Sequence, residues 1–356
     1  MPTNNYEYYS KFGWGSNPFT LTISPSLMVG YSDQCDSLLS HVLNLHKFAS
    51  IIGPTGSGKT TMLLWLRSQL MAYKKFLPYY IPKPPRSSKN LINIFKSVVG
   101  FNFIDKVRFN DLSLFNLSKF IRIKLRKKHL VLLIDETHEA SKTNLEWIRT
   151  LADSVPNMTI ILAALPVFEK KLETQLPTLF MRITTKAYLN NLSKPEVESL
   201  IFKRIENVDG DGLKPFSSDS IDRIFNITGG FPREIIKTCD SLIKEAALKN
   251  ITSINTSFID QVIQPTTTSQ PVELQATLSK KQKEVLKLLN ENPNLNPSSI
   301  VSRIDISSYK NKNNAIRSIN NILKRLFRDD LIQRKKLGNT YVYYLSPKSK
   351  TLFTEA

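Results

Sequence analysis

Eight consecutive residues, Gly53-Pro54-Thr55-Gly56-Ser57-Gly58-Lys59-Thr60, fill every fixed position of the pattern G-x-x-x-x-G-K-[ST]. The apolar run Phe48–Ile52 before them reads as a buried strand, and Thr61-Met62-Leu63-Leu64-Trp65-Leu66 after them opens an apolar helical pattern. This strand–loop–helix context separates a phosphate loop from a glycine-rich turn beside a solvated lysine. Without a Cβ at positions 53, 56 and 58 the loop can curl and aim backbone N–H groups at phosphate oxygens. The helix that follows adds its N-terminal dipole to the same anion site. Lys59 is expected to reach the β- and γ-phosphates, and the Thr60 hydroxyl to ligate Mg²⁺.

Around this loop the periodicity alternates between strand and helix. Phe76–Ile81, Leu130–Ile134, Met158–Ala164 and Ile183–Leu189 read as further strands of a doubly wound parallel sheet. Helices are expected over 33–46, from a cap at Ser88, over 113–126 with a basic end, and around Leu145–Leu151. The stretch between the second and third of these is less regular. The helix over 33–46 is expected to sit close to the nucleotide base. Asn17-Pro18-Phe19 ahead of it reads equally as an N-terminal packing arm. The wholly apolar third strand delivers Asp135-Glu136-Thr137-His138 to its carboxyl end, where a phosphate-loop protein manages metal and attacking water. Asp135 would hold the Mg²⁺ shell through water and Glu136 would polarise the attacking water; the alternative is that both acids only cap the next helix. From Lys194 the pattern is helical only (194–207, 217–228, 231–249 and 256–262). The expected boundaries are a core over 1–192, a helical lid over 193–263, a polar Pro/Thr-rich linker over 264–277 and a separate module over 278–356.

These features resemble the AAA+ ATPases, in particular the group of archaeal and eukaryotic replication initiators and the DEAH-like transposition and secretion ATPases. GPTGSGKTT is similar to the family's Walker A loop, and LVLLIDETHEA to its Walker B strand. The resemblance covers about residues 15–262. It implies an ATPase that uses ATP and Mg²⁺, with Gly53, Pro54, Thr55, Gly56, Ser57, Gly58, Lys59, Thr60 and Thr61 around the phosphates. Thr60 and Asp135 would serve the metal, and Glu136 and Lys59 the chemistry. It also implies two arginines: Arg182 as a finger reaching a neighbouring subunit's γ-phosphate, and Arg233 as the lid residue closing over ATP. Either would neutralise charge as the γ-phosphoryl leaves, and either could instead be a surface ion pair. One departure stands out. The fourth strand ends Leu162-Ala163-Ala164-Leu165-Pro166, with no polar group except upstream Thr159. Slow, switch-like hydrolysis is the expected consequence.

The chain carries 49 Lys and Arg against 30 Asp and Glu, a net charge of +19. Residues 278–356 alone hold sixteen basic and six acidic side chains, so a polyanionic partner is expected to meet this module. Its pattern is three helices and a hairpin: one capped by Ser279, a short one opened by Asn296-Pro297, one over 313–328, and strands over 331–336 and 340–345. This is similar to a winged helix-turn-helix, a module that serves DNA binding or, alternatively, protein contact. Asn314, Arg317, Ser318, Asn321 and Arg325 line one face of the third helix and are expected at base edges of duplex DNA. Arg334, Lys335 and Lys336 suit phosphates or the minor groove.

Cys35 and Cys239 stand far apart and suggest neither a metal site nor a disulfide framework. The N-terminal residues lack the apolar core of a signal peptide, and no apolar run nears a membrane span. The expected setting is cytoplasmic, on the nucleoid, with self-association through the ATP site. The leading expectation is a replication-initiator-like protein whose nucleotide state controls assembly on DNA. The alternatives are a signalling NTPase with transcription-regulator output and a transposition-helper or protein-remodelling ATPase.

Overall fold

The structure, a computed structural model, describes residues 9–109, 112–263, 279–292, 294–304, 311–328, 331–337 and 340–345. It divides into two compact units, Met1–Val262 and Ile263–Ala356.

The first unit is built on five parallel strands: β1 (Phe48–Ile52), β2 (Phe76–Ile81), β3 (His129–Ile134), β4 (Met158–Ala164) and β5 (Ile183–Tyr188), in the order β2-β3-β4-β1-β5. β1, β3 and β4 are buried along their whole length, which is why they read as continuous apolar runs rather than alternating ones. The alternation survives in where each side chain goes. Phe48 and Ile52 of β1 join Leu130, Leu132, Ile134, Ile160 and Leu162 on one face. Ala49 and Ile51 join Val131, Leu133, Ile161 and Ala163 on the other.

Helix α1 (Ser32–Leu43) and helix α2 (Lys59–Met71) cover the second face. The first face is covered by α3 (Ser88–Val99), α5 (Leu114–Leu125), α6 (Lys142–Ser154) and α7 (Val167–Gln175). Between α3 and α5 lies α4 (Phe103–Arg108), where the periodicity suggested irregular chain. Its six residues are too few for an apolar stripe, and its signal is instead a capping box between Asn102 and Asp105. The cap of α3 is Ser87, whose hydroxyl accepts from the Asn90 N–H, one residue earlier than expected. α7 and the short α8 (Pro177–Phe180) fill the connection from β4 to β5, which sequence reading left unassigned.

Four more helices complete the unit: α9 (Lys194–Glu206), α10 (Ser218–Thr228), α11 (Pro232–Leu248) and α12 (Thr256–Val262). Asn17, Pro18 and Phe19 are a packing arm on these helices. Asn17 Nδ2 donates to Asp240 at 2.6 Å, and Phe19 is buried edge-on between Trp14 and Phe216.

The second unit contains α13 (Lys280–Glu291), α14 (Pro297–Val301) and α15 (Lys312–Arg328), followed by the antiparallel pair β6 (Ile332–Leu337) and β7 (Thr340–Leu345). Ser279 and Gln282 form a capping box that starts α13, and Asn296 caps α14. Leu286, Leu289, Ile300, Ile319, Leu323, Leu326, Ile332 and Leu345 share one core. The expected linker over 264–277 and the hairpin tip at Gly338-Asn339 lie outside the described residues. No helix among the described residues is long and apolar enough to cross a membrane.

Candidate nucleotide site

In the strand order β1 and β3 flank β4, so the loops leaving their carboxyl ends meet above the end of β4, where parallel α/β sheets collect ligands. The loop over 53–58 ends in α2, and Lys59 is the first helical residue. Gly56 has φ +83°, and a Cβ there would come within 2.9 Å of Arg233 Cβ. The position therefore needs glycine for both its dihedral and its neighbour. Ser57 Oγ is buried and has no hydrogen-bond partner among the described residues.

Lys59 is buried, and its Nζ donates to the carbonyls of Gly53 at 2.9 Å and Pro54 at 2.8 Å. Burial pulls its ammonium below the ordinary lysine value; Glu136 and Asp135 nearby oppose the shift, and Arg233 adds to it. The Thr60 hydroxyl donates to Asp135 Oδ2 at 2.6 Å, and Tyr80 Oη donates to the same oxygen at 3.1 Å. Burial and the Asp135 carboxylate push the Tyr80 phenol up, so it stays protonated as a donor. Glu136 occupies the left-handed region at φ 49°, with its N–H on Asp135 Oδ1 at 2.8 Å. That conformation is uncommon outside glycine and turns the chain sharply as it leaves β3. Glu136 Oε2 lies 3.4 Å from His138 Nε2.

α11 presents its N-terminus to the loop: the Arg233 N–H approaches Gly56 O at 3.4 Å, and its side chain covers Gly56. The resulting cavity, about 240 Å³, is polar at the end formed by residues 55–61, Glu136 and Arg233. Its other end is apolar, lined among others by Ile23, Leu27, Met28, Leu192 and Ile236. Helix α1 stops at Leu43 and packs against α2 and β5. Of the 21–31 stretch before it, residues 21–24, 27–29 and 31 line the cavity. The helix therefore touches the cavity only at its N-cap, Tyr31, and the stretch before it supplies the rest of that wall.

These residues suit a nucleoside triphosphate with a divalent cation. A glycine-based cradle, a buried ammonium and a hydroxyl–carboxylate pair converge on one end, and the largely apolar side chains at the other suit the faces of a flat base. Thr159, the one polar side chain of β4, sits at the strand's opposite end. Its hydroxyl donates to His46 O at 2.6 Å and accepts from His129 Nε2 at 2.9 Å. It is therefore committed elsewhere, and the carboxyl end of β4 stays apolar.

Arg182 is outside this cavity. It precedes β5, whose Ile183 pairs with Phe48 while Tyr188 pairs with Ile52, so a strand length of roughly 16 Å separates it from the loop. Its Nε meets Asp153 Oδ1 at 3.2 Å and Nη1 meets Thr178 O at 3.0 Å, with the side chain partly exposed.

In the second unit Asn314, Arg317, Asn321 and Arg325 are exposed along α15, whereas Ser318 is only half exposed. Arg334 and Lys335 are exposed on β6, and Lys336 pairs in register with Tyr341. The Arg334 guanidinium lies over two rings, with Cζ 4.8 Å from the centre of Phe327 and 4.4 Å from that of Tyr341. Tyr343 is buried in the core.

Tyr80, the 21–29 wall and Arg204 were not expected at the site from the sequence. The strand order would have brought Tyr80 forward, since it stands one residue before the carboxyl end of the strand beside β3; the others carry no local signature.

Residues 44–172 match the AAA domain model. The chain is 26% identical over 231 residues to an uncharacterized HTH-type transcriptional regulator of Methanocaldococcus jannaschii, covering 63% of this chain. It spans about half (54%) of that relative's length. Among solved structures it is similar to the Aeropyrum pernix ORC2 protein in its ADPNP-ADP complexes, with TM-score 0.65, 14% identity and coverage of 94% of this chain and 96% of the other. It is also similar to the Aeropyrum pernix ORC1 protein in complex with DNA, with TM-score 0.56, 13% identity and 92% of each chain covered. At such identities the likeness is one of fold.

Proposed function

We propose that this AAA-domain protein, with the fold of the archaeal ORC structures, is an ATP-controlled DNA-binding switch of the replication-initiator kind. One observation carries the nucleotide half: the Thr60–Asp135 contact lies beside a glycine loop that Arg233 closes from the helical side. Lys59 exchanges its two carbonyl partners for phosphate oxygens. Thr60, and Asp135 through water, would hold Mg²⁺, which when bound would supply positive charge against the phosphates. Glu136 orients the attacking water and takes its proton. The apolar carboxyl end of β4 supplies no second group for that water, so turnover is slow and the bound triphosphate acts as a state signal. Arg233 answers the γ-phosphate from the same chain, and Arg182, a strand length away, can serve only a neighbouring copy.

The second unit is read as a winged helix-turn-helix. Asn314, Arg317, Asn321 and Arg325 face the major groove, and Arg334, Lys335 and Lys336 meet the backbone. Support comes from its concentrated positive charge and from the exposure of Asn314, Arg317, Asn321, Arg325, Arg334 and Lys335. Its place is then on cellular DNA.

The decisive experiment is a gel-shift titration on random and genomic duplexes with ATP, ADP and no nucleotide. Affinity that ignores the nucleotide, or that survives deletion of residues 278–356, sinks the reading. The relative described as a transcriptional regulator favours a second one, in which nucleotide state controls promoter binding. Genome-wide occupancy at promoters rather than replication start sites would select it.

A further inference from the structure

The apolar end of the cavity is built from two pieces of chain far apart in sequence. Glu196, Leu200, Lys203 and Arg204 recur on α9 at the spacing of a single helical face, and that face meets residues 18–30. A Cβ on Gly30 would stand 2.7 Å from Glu196 Oε1. Leu200 and Arg204 line the cavity beside Ile23, Leu27 and Met28. Lys203 Nζ donates to Met28 O at 3.2 Å. Arg204 Nη1 donates to two carbonyls, Pro18 O at 2.9 Å and Thr20 O at 3.0 Å, on the turn where the arm enters the cavity wall.

Arg204 is an unusual choice for this place. It is 7% exposed, its Nε has no partner among the described residues, and its bonded partners are neutral carbonyls rather than a carboxylate. A buried guanidinium is costly unless its donors are used, and a leucine would pack here at lower cost. A leucine could not fix two successive carbonyls of an irregular segment. Asn17–Asp240 ties the same arm to α11 at 2.6 Å, so the arm is bound to the two lid helices at successive points.

We propose that Arg204 is a positioning residue for nucleotide recognition, latching the 18–31 arm to the lid so that both form one wall against the base. It rests on the nucleotide reading above and adds that the base end of the site depends on this latch while the phosphate end does not. The arm and lid then close on a base as one piece, and phosphate alone cannot draw on that contact.

The test uses the full-length chain and two probes, Mg·ADP and Mg·tripolyphosphate, measured by calorimetry. R204M is expected to weaken ADP by about tenfold, the loss of a charged hydrogen-bonded pair, while tripolyphosphate affinity stays unchanged. R204K, which can still donate to both carbonyls, is expected to regain most of the loss. Should R204M fail to fold, N17A at the half-buried Asn17 severs the tie to Asp240 along with the bond from the Phe19 N–H, and is expected to lower ADP affinity in the same selective way. ADP affinity unchanged in N17A or in folded R204M, or equal loss of both probes, overturns the latch. Wild-type protein that binds no ADP overturns the nucleotide reading, and the latch with it.

Discussion

Thr60 and Asp135, 75 residues apart in sequence, are joined by a 2.6 Å hydrogen bond from the threonine hydroxyl to the carboxylate. The two groups proposed for the metal thus already meet at one carboxylate oxygen, to which Tyr80 Oη also donates. D135N should weaken Mg·ATP about 10- to 100-fold, the range for groups that shape a metal site, while metal-free ATP binds nearly as before. Affinities with Mg²⁺ and with EDTA check this; an unaltered Mg²⁺ dependence would remove Asp135 from the metal site.

Glu136 is held at φ 49° with its backbone on Asp135 and its carboxylate near His138. E136Q keeps the shape and loses the base. ATP affinity should hold while phosphate release falls by about 10²-fold or more, trapping the triphosphate form. Turnover equal to wild type would remove Glu136 from catalysis.

Arg182 lies at the strand end remote from its own chain's loop. If it serves a neighbour, R182A and K59A should each lose roughly 10³-fold in turnover, and an equimolar mixture should recover a measurable part. A mixture as inactive as its components argues against a shared site.

Two buried imidazoles set a pH limit. Burial pulls His41 down to about 4, with His46 adding to the shift, and pulls His129 down to about 4, with Lys47 and Lys75 adding. Each folded value lies below the ordinary 6.5, so below that pH the unfolded chain binds more protons. Stability is full above pH 6.5, falls as pH drops and levels off near 4. Thermal unfolding should shift down by several degrees between pH 7 and pH 5, and H129Q should flatten the slope. A melting temperature constant over that range would contradict the burial of both rings.

The basic groups of β6 allow a salt test. Neutralising Arg334, Lys335 and Lys336 should reduce the slope of log affinity for duplex DNA against log salt by about 0.9 for each phosphate that the hairpin no longer neutralises. Because Arg334 is clamped between Phe327 and Tyr341, Y341A should mimic part of the R334A effect. A slope identical to wild type takes the hairpin out of the interface.

The phosphate loop, Asp135-Glu136, the five strands and most of the helices could be read from residue order, because each is written locally: a glycine spacing, an apolar run, a cap. Helix α4 escaped as a six-residue piece, and the α7–α8 connection because only isolated apolar residues such as Phe168, Leu172 and Leu179 are buried along it. What only the tertiary structure decided is which distant groups share the cavity. Tyr80 reaches Asp135 because β2 lies beside β3, Arg233 covers Gly56 because α11 folds back, and Arg204 grips Pro18 and Thr20 across 186 and 184 residues. Local chemistry specifies elements, but the way they meet depends on strand order and packing, which no short stretch of sequence contains.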